Sequence, residues 1–329
     1  MKNFVIYGCG LISTVHADAV KSLENANLLG CCDIKIESAK AFAEKYNIKC
    51  YESIEDILAD KQVDVVCICT PSGTHAELAV KFLNAKINVV VEKPMALNTA
   101  DCDKIIEAAE KNGAKITVIS QLRTADDVKR AREIVQSGAL GKLVLCDLYM
   151  KYYRNKEYYN NSWRGTIKMD GGGALMNQGI HGVDLLQYIV GPIKNLKSIC
   201  RTLVHDIEVE DTAVAVAEYE NGALGVIEAT TAINPSYDRE IKIHGSNGCI
   251  EICDNCIQRL VIDGEEKPCG TYNSVGSSSD PSKVQYFEHA KQLTTFMEVI
   301  DGKDMEYISG YEGRKAVDII ERIYKYNVD

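Results

Sequence analysis

The chain has 329 residues, a formal net charge of −10, 46% hydrophobic and 26% charged residues. The length suits two domains better than one, because single cores stop growing near ~250–300 residues, and the acidic balance argues against a nucleic-acid partner, whose phosphates need clustered Lys and Arg. No apolar run reaches the ~18–20 residues of a membrane helix, and Gly8-Cys9-Gly10 cuts short the apolar run 3–7, so neither a membrane span nor a signal peptide is expected and the protein is expected in the cytoplasm.

The first third alternates strand and helix. Strands are predicted at 3–7, 27–32, 63–69, 87–91 and 115–119. Helices are predicted at 11–24, 35–46, 54–60, 74–85 and 100–112, with Ser53 and Asp56 as a capping pair and Thr99 as a cap. The strands are apolar throughout, the mark of a parallel sheet covered on both faces. This rhythm stops near Gln121. After a helix at 124–137 come alternating runs at 142–154, 194–204, 211–219, 222–232, 237–244 and 248–262, with Asn221-Gly222 as a hairpin signal. Two helices near 284–301 and 311–326 follow. The stretch 273–282, rich in Gly and Ser, reads as a mobile loop. The expected architecture is α/β: an N-terminal Rossmann domain over 1–121, then an α+β domain over 122–329 with a large, mainly antiparallel open sheet. Cys249, Cys253 and Cys256, among 13 cysteines, have a spacing known from metal sites. The segment reads better as two strands around Asp254-Asn255, and no metal is expected.

Gly8-Cys9-Gly10-Leu11-Ile12-Ser13 follows a strand and opens a helix. Gly8 permits the tight turn, Gly10 lets backbone approach a pyrophosphate, and Ser13 is small enough for helix–strand packing. Gly8, Gly10, Leu11 and Ile12 are the expected phosphate contacts, at a helix N-terminus with free N–H groups. Asp33 ends the second strand, where an acid accepts both adenosine ribose hydroxyls and repels a 2′-phosphate. NAD is therefore expected over NADP.

Glu92-Lys93-Pro94 follows the strand at 87–91. Lys93 there reads either as a reach toward a substrate hydroxyl or as an ordinary surface lysine. Further on, three glycines at 171–173 lead into a helix. Asn177, His181, Asp184 and Tyr188 then fall on one helical face. Such a stripe is either solvated or ligand-facing; His181 is a candidate general acid/base.

With these residues in view, the chain resembles the glucose–fructose oxidoreductase and inositol dehydrogenase family (Gfo/Idh/MocA). The likeness rests on the Gly8/Gly10 loop with His16, Thr70-Pro71-Ser72 with His75, Glu92-Lys93-Pro94, the glycine-rich helix with His181, and Glu312-Gly313-Arg314-Lys315. It implies that Thr70, Pro71 and His75 line the cofactor's ribose and nicotinamide side. It also implies that Glu92 contacts the nicotinamide ribose, that Lys93 bonds the reacting hydroxyl, and that His181 is acid/base. Many members carry Asp where this chain has Asn177, which cannot take a proton. The Asn-Gln-Gly-Ile-His form is similar to a subgroup containing UDP-N-acetylglucosaminuronate 3-dehydrogenases, as is the run from Tyr152-Tyr153 to Trp163-Arg164-Gly165. There Tyr153, Trp163 and Asn177 would meet the sugar and Arg164 an anionic group; alternatively, the aromatics form a core or interface cluster. The resemblance further implies a homodimer or homotetramer. The expected activity is oxidation of a secondary hydroxyl of a sugar or cyclic polyol derivative. The alternatives are an NAD-dependent glycosidase and a non-catalytic dinucleotide sensor, which would need neither Lys93 nor His181.

Overall fold

The structure is a computed structural model and describes residues 1–160, 163–270 and 285–328; the loop at 273–282 lies outside the described residues. Two compact units form. The first takes in 1–121 and the described residues 285–314, the second the described residues 122–160, 163–270 and 315–328.

In the first unit the chain runs β1 (Lys2–Tyr7), α1 (Leu11–Lys21), β2 (Ala26–Cys32), α2 (Ile36–Tyr46), β3 (Lys49–Cys50), α3 (Ile54–Ala59), β4 (Val65–Ile68), α4 (His75–Asn84), β5 (Asn88–Val91), α5 (Thr99–Asn112) and β6 (Ile116–Val118). The six strands are parallel, in the order β3-β2-β1-β4-β5-β6. β4 and the last three residues of β5 are buried throughout, as unbroken apolar sequence requires when helices cover both faces. The order reverses between β1 and β4, and the carboxyl ends of strands at such a switch point are where ligands bind. Ser53 and Asp56 form a complete capping box on α3. The cap of α5 is Asn98 and not Thr99, since the Asn98 side chain accepts from the Asp101 N–H at 2.8 Å.

The second unit contains α6 (Asp126–Gln136), β7 (Leu143–Lys151), α7 (Lys156–Tyr159), a π-helical turn at Ala174–Gly179, α8 (Ile180–Val190), β8 (Ile193–Arg201), β9 (Thr212–Tyr219), β10 (Leu224–Thr230), β11 (Glu240–Gly245), β12 (Gly248–Cys253), β13 (Cys256–Ile262) and β14 (Glu265–Glu266). One sheet in the order β14-β13-β12-β11-β7-β10-β9-β8 joins its strands. It is antiparallel except where β10 runs parallel to β7. Its strands alternate. On β9, Ala213, Ala215, Ala217 and Tyr219 are buried while Val214 and Val216 are exposed. Cys253 pairs with Cys256 across the turn at Asp254. α8 lies close on this sheet at Gly182, where a Cβ would stand 2.5 Å from the Met150 sulfur and 3.0 Å from Leu148 Cδ1. α9 (Phe287–Ile300) belongs to the first unit, and α10 (Gly310–Lys325) begins there. A Cβ on Gly313 would meet Val118 Cγ2 at 2.4 Å, so the closing Glu-Gly-Arg-Lys sequence needs its glycine for contact with β6.

The polar stripe of the glycine-rich helix divides. The π turn shifts the phase between Asn177 and α8, and Asp184 forms a buried ion pair with Arg123 at 2.5 Å. The Tyr188 ring carries the guanidinium groups of Arg123 at 4.6 Å and Arg132 at 4.2 Å. Asp184 and Tyr188 therefore anchor α8. Asp184→Ala should cost about 3 kcal/mol of stability, because it strands a buried guanidinium without its carboxylate. Urea unfolding at neutral pH measures this; a loss below about 1 kcal/mol would mean the pair adds little to holding α8.

Candidate functional site

Each unit carries one group of the candidate site residues. In the first, β1 runs into Gly8 at φ +96°, where a Cβ would lie 2.8 Å from the Cys69 carbonyl oxygen and 2.8 Å from Thr70 Cγ2. Only glycine fits that turn. At Gly10 an added Cβ would meet nothing within 4 Å, so the backbone borders open space. No side chain caps α1, and the first-turn N–H groups are left for a bound anion. The Asp33 carboxylate accepts from the Cys9 N–H at 2.7 Å and the Lys35 N–H at 2.8 Å. It thus braces the turn, and its remaining lone pairs suit ribose hydroxyls. This cradle fits a dinucleotide.

At the end of β5, Glu92 is buried and its oxygens face the protein. Oε1 lies 2.8 Å from His16 Nε2 and 3.8 Å from His289 Nε2, and Oε2 accepts from the Lys93 N–H at 3.1 Å. Burial pushes the Glu92 carboxyl up, but the two imidazoles outweigh it and hold the group well below the usual range. His289 arrives on α9, and burial lowers its pKa. His75, also buried, spans the Pro94 carbonyl at 2.7 Å (Nδ1) and the Thr70 carbonyl at 2.9 Å (Nε2). It ties the turn after β4 to the Lys93-Pro94 turn, and burial lowers its pKa too. Lys93 is half-buried.

In the second unit, Gly173 approaches the chain so closely that a Cβ would stand 1.9 Å from the Glu210 carbonyl oxygen. The Glu210 carboxylate accepts from the N–H groups of Gly173 at 3.0 Å and Leu175 at 2.9 Å, and from the Tyr324 hydroxyl at 2.9 Å. Burial raises its pKa against the pull of these donors. This brace aims the π turn that carries Asn177; His181 follows, half-buried, in the first turn of α8. The Asn177 amide donates to Asp170 and accepts from Gln178 at 2.9 Å. Arg154, buried, donates to Gln178 at 2.6 Å. The Arg164 guanidinium stacks on the Tyr158 ring at 4.2 Å and lies 5.2 Å from Trp163. Tyr153 is 39% exposed, whereas Tyr152 is core. The aromatic run is thus partly structural and partly presented.

Residues 2–120 match the oxidoreductase family with an NAD-binding Rossmann fold, and 128–251 match the C-terminal domain of the same GFO/IDH/MocA family. The chain belongs to this family. It is an NAD-dependent oxidoreductase. A myo-inositol 2-dehydrogenase of Thermotoga maritima is 27% identical over 327 residues, 95% of this chain and 92% of that protein. An inositol 2-dehydrogenase of Salmonella typhimurium is 29% identical over 259 residues, 75% of this chain and 72% of that protein. The WlbA dehydrogenase of Bordetella pertussis, solved in complex with NADH and UDP-GlcNAcA, superposes with a TM-score of 0.89 at 28% identity, covering 99% of this chain and 95% of that one.

Within this family fold, the sequence reading singled out the glycine turns, Lys93 and His181, but not the groups that hold them. Asp170, Glu210 and His289 escaped it. An acid directly before the three glycines was the available signal for Asp170; His289 had none, being remote in sequence from Glu92.

Two outcomes follow from this geometry. Asp33→Ala should narrow the preference for NAD over NADP by about tenfold or more, as one charge-assisted hydrogen bond and one charge repulsion are lost; fluorescence titration with both cofactors reads it, and an unchanged ratio would remove Asp33 from cofactor selection. The second concerns acid. His75 and His289 have pKa values lowered below the unfolded value, so the unfolded chain binds more protons. Glu92, also lowered, acts in the same direction. Stability should be full above about pH 6.5 and fall as pH drops through the histidine range and on toward the folded carboxylate pKa. A melting temperature that stays level from pH 7 to pH 5 would contradict this.

Proposed function

We propose that the protein transfers a hydride between a secondary hydroxyl of a sugar acid, hexuronate or nucleotide-linked, and NAD. The observation that carries this is the near full-length superposition on the WlbA dehydrogenase bound to NADH and UDP-GlcNAcA. The chain's own residues agree with it: a guanidinium at Arg164 spread over Tyr158 and Trp163 suits an anionic sugar with an apolar face.

In this reading Gly8, Gly10, Leu11 and Ile12 bind the pyrophosphate, Asp33 the adenosine ribose, and Thr70, Pro71 and His75 border the nicotinamide side. Bound NAD supplies the hydride acceptor. Glu92 borders the nicotinamide ribose and fixes the backbone from which Lys93 reaches the reacting hydroxyl and favours its ionisation. His181 takes the hydroxyl proton at an imidazole nitrogen. Asn177 bonds a neighbouring hydroxyl, Arg164 the carboxylate or phosphate, and Tyr153 and Trp163 flank the ring. We further propose a cytoplasmic homo-oligomer. The outward face of the large sheet exposes Leu145 (45%), Ile199 (50%), Val214 (42%), Val216 (57%) and Leu224 (56%), an apolar surface that a second copy would cover. Thirteen free cysteines fit a reducing compartment. Among the described residues, no helix is long and apolar enough to cross a membrane.

Assays at the reduced-nicotinamide absorbance with UDP-GlcNAcA, UDP-GlcNAc and myo-inositol test the substrate. The acid should be turned over fastest. Lys93→Ala and His181→Ala should each lower kcat by about 10²-fold while NAD still binds. Arg164→Ala should raise KM for the acid by about tenfold. Faster turnover of the neutral compounds, or an unchanged KM in Arg164→Ala, would overturn the sugar-acid reading.

A further inference from the structure

Position 177 holds an amide at the point where the substrate reading needs an oriented polar group. Its amide is not free to turn. Nδ2 donates to Asp170 Oδ1, and Oδ1 accepts from Gln178 Nε2 at 2.9 Å. A flipped amide would set its oxygen against a carboxylate and its N–H₂ against another N–H donor, which fixes the orientation. Gln178 is fixed in turn. Its Oε1 accepts from Arg154 Nε at 3.2 Å and Nη2 at 2.6 Å, and its Nε2 also donates to the Tyr158 hydroxyl at 2.7 Å. Asp170 Oδ2 accepts from the Gly165 N–H at 2.8 Å.

These contacts form a single directed chain. Arg154, 5% exposed, stands at its positive end and Asp170, 1% exposed, at its negative end. The two amides between them all donate in the same sense, toward Asp170. Two buried charges would be costly alone. Joined through aligned amide dipoles, each polarises the next.

We propose that Asp170 is a positioning residue for the reaction, holding Asn177 in one orientation and supplying beside it the negative charge that residue 177 cannot carry. This rests on the reading that Asn177 contacts the substrate. It adds a residue that touches neither cofactor nor reacting atoms and acts through the amide.

The test exchanges the two groups. Asp170→Asn, Asn177→Asp and the double exchange Asp170→Asn/Asn177→Asp are assayed with UDP-GlcNAcA and NAD across pH, and each is unfolded in urea. Asp170→Asn should lower kcat by about tenfold or more with KM for NAD within about twofold, one hydrogen bond to a charged group being lost. Asn177→Asp places two carboxylates at hydrogen-bond distance, so one must hold a proton; its activity and stability should fall further as pH rises. The exchange restores one carboxylate and one amide. It should be more active than either single variant and lose the added pH dependence of Asn177→Asp, a non-additivity that separate structural damage would not produce. Asp170→Asn with kcat within about twofold of the parent, or an exchange no better than the product of the single effects, would overturn the proposal. If Asp170→Asn does not fold, the comparison of Asn177→Asp with the exchange in urea decides: greater stability of the exchange supports the pairing, and equal or lower stability overturns it. Absence of turnover by the parent protein on every sugar acid is a separate result, visible before any variant is made, and overturns the functional reading itself.

Discussion

Backbone N–H groups at the mouth of a helix attract anions, and both glycine turns of this protein depend on a carboxylate from a neighbouring strand or loop to hold them in shape. Asp33, at the end of β2, grips the Cys9 N–H between Gly8 and Gly10. Glu210, just before β9, grips the N–H groups of Gly173 and Leu175. Neither turn has room for a Cβ at its tightest glycine. A glycine run is conformationally loose in the unfolded chain, so a flexible stretch becomes a defined surface only when an acceptor claims its donors. The ligand then meets a preorganised backbone, not one it must order on binding.

The same logic extends to the side chains. Glu92 spends both oxygens on His16, His289 and the Lys93 backbone, so the strand end carrying Lys93 is pinned from within. His75 adds a second tie through the Pro94 and Thr70 carbonyls. Preorganisation of this kind lowers what a reaction must reorganise at the moment of charge development. It also concentrates ionisable groups in the interior, which is the physical basis of the acid sensitivity expected of this fold.

How far the residues alone disclose this depends on the range of the interaction. The all-apolar β4 and β5, the Gly8–Gly10 turn after β1 and the alternation of β9 are local patterns, and local physics produces them. The cap of α5 moved by one residue because Asn98 and Thr99 both offer an acceptor, and only geometry selects Asn98. The face shared by Asn177, Asp184 and Tyr188 assumed an unbroken α-helix, whereas the Gly171–Gly173 run admits a π turn and Arg123 draws Asp184 into an ion pair. The partners of Glu92, Gly173 and Asn177 are chosen by tertiary packing: α9 brings His289 to a carboxylate near residue 90, and nothing in the spacing of either announces it. Lys93 and His181 stood out through family likeness more than through any local pattern.

Carbon-bound hydrogen is what this chemistry must move. The most direct measurement supplies UDP-GlcNAcA carrying deuterium on its ring carbons, together with unlabelled NAD, and determines the mass of the reduced cofactor. Hydride transfer from a secondary carbinol carbon predicts reduced nicotinamide heavier by one deuterium, formed with the parent protein and abolished when Lys93 and His181 are both replaced. Reduced cofactor without deuterium, or none formed from any sugar acid, would contradict the account.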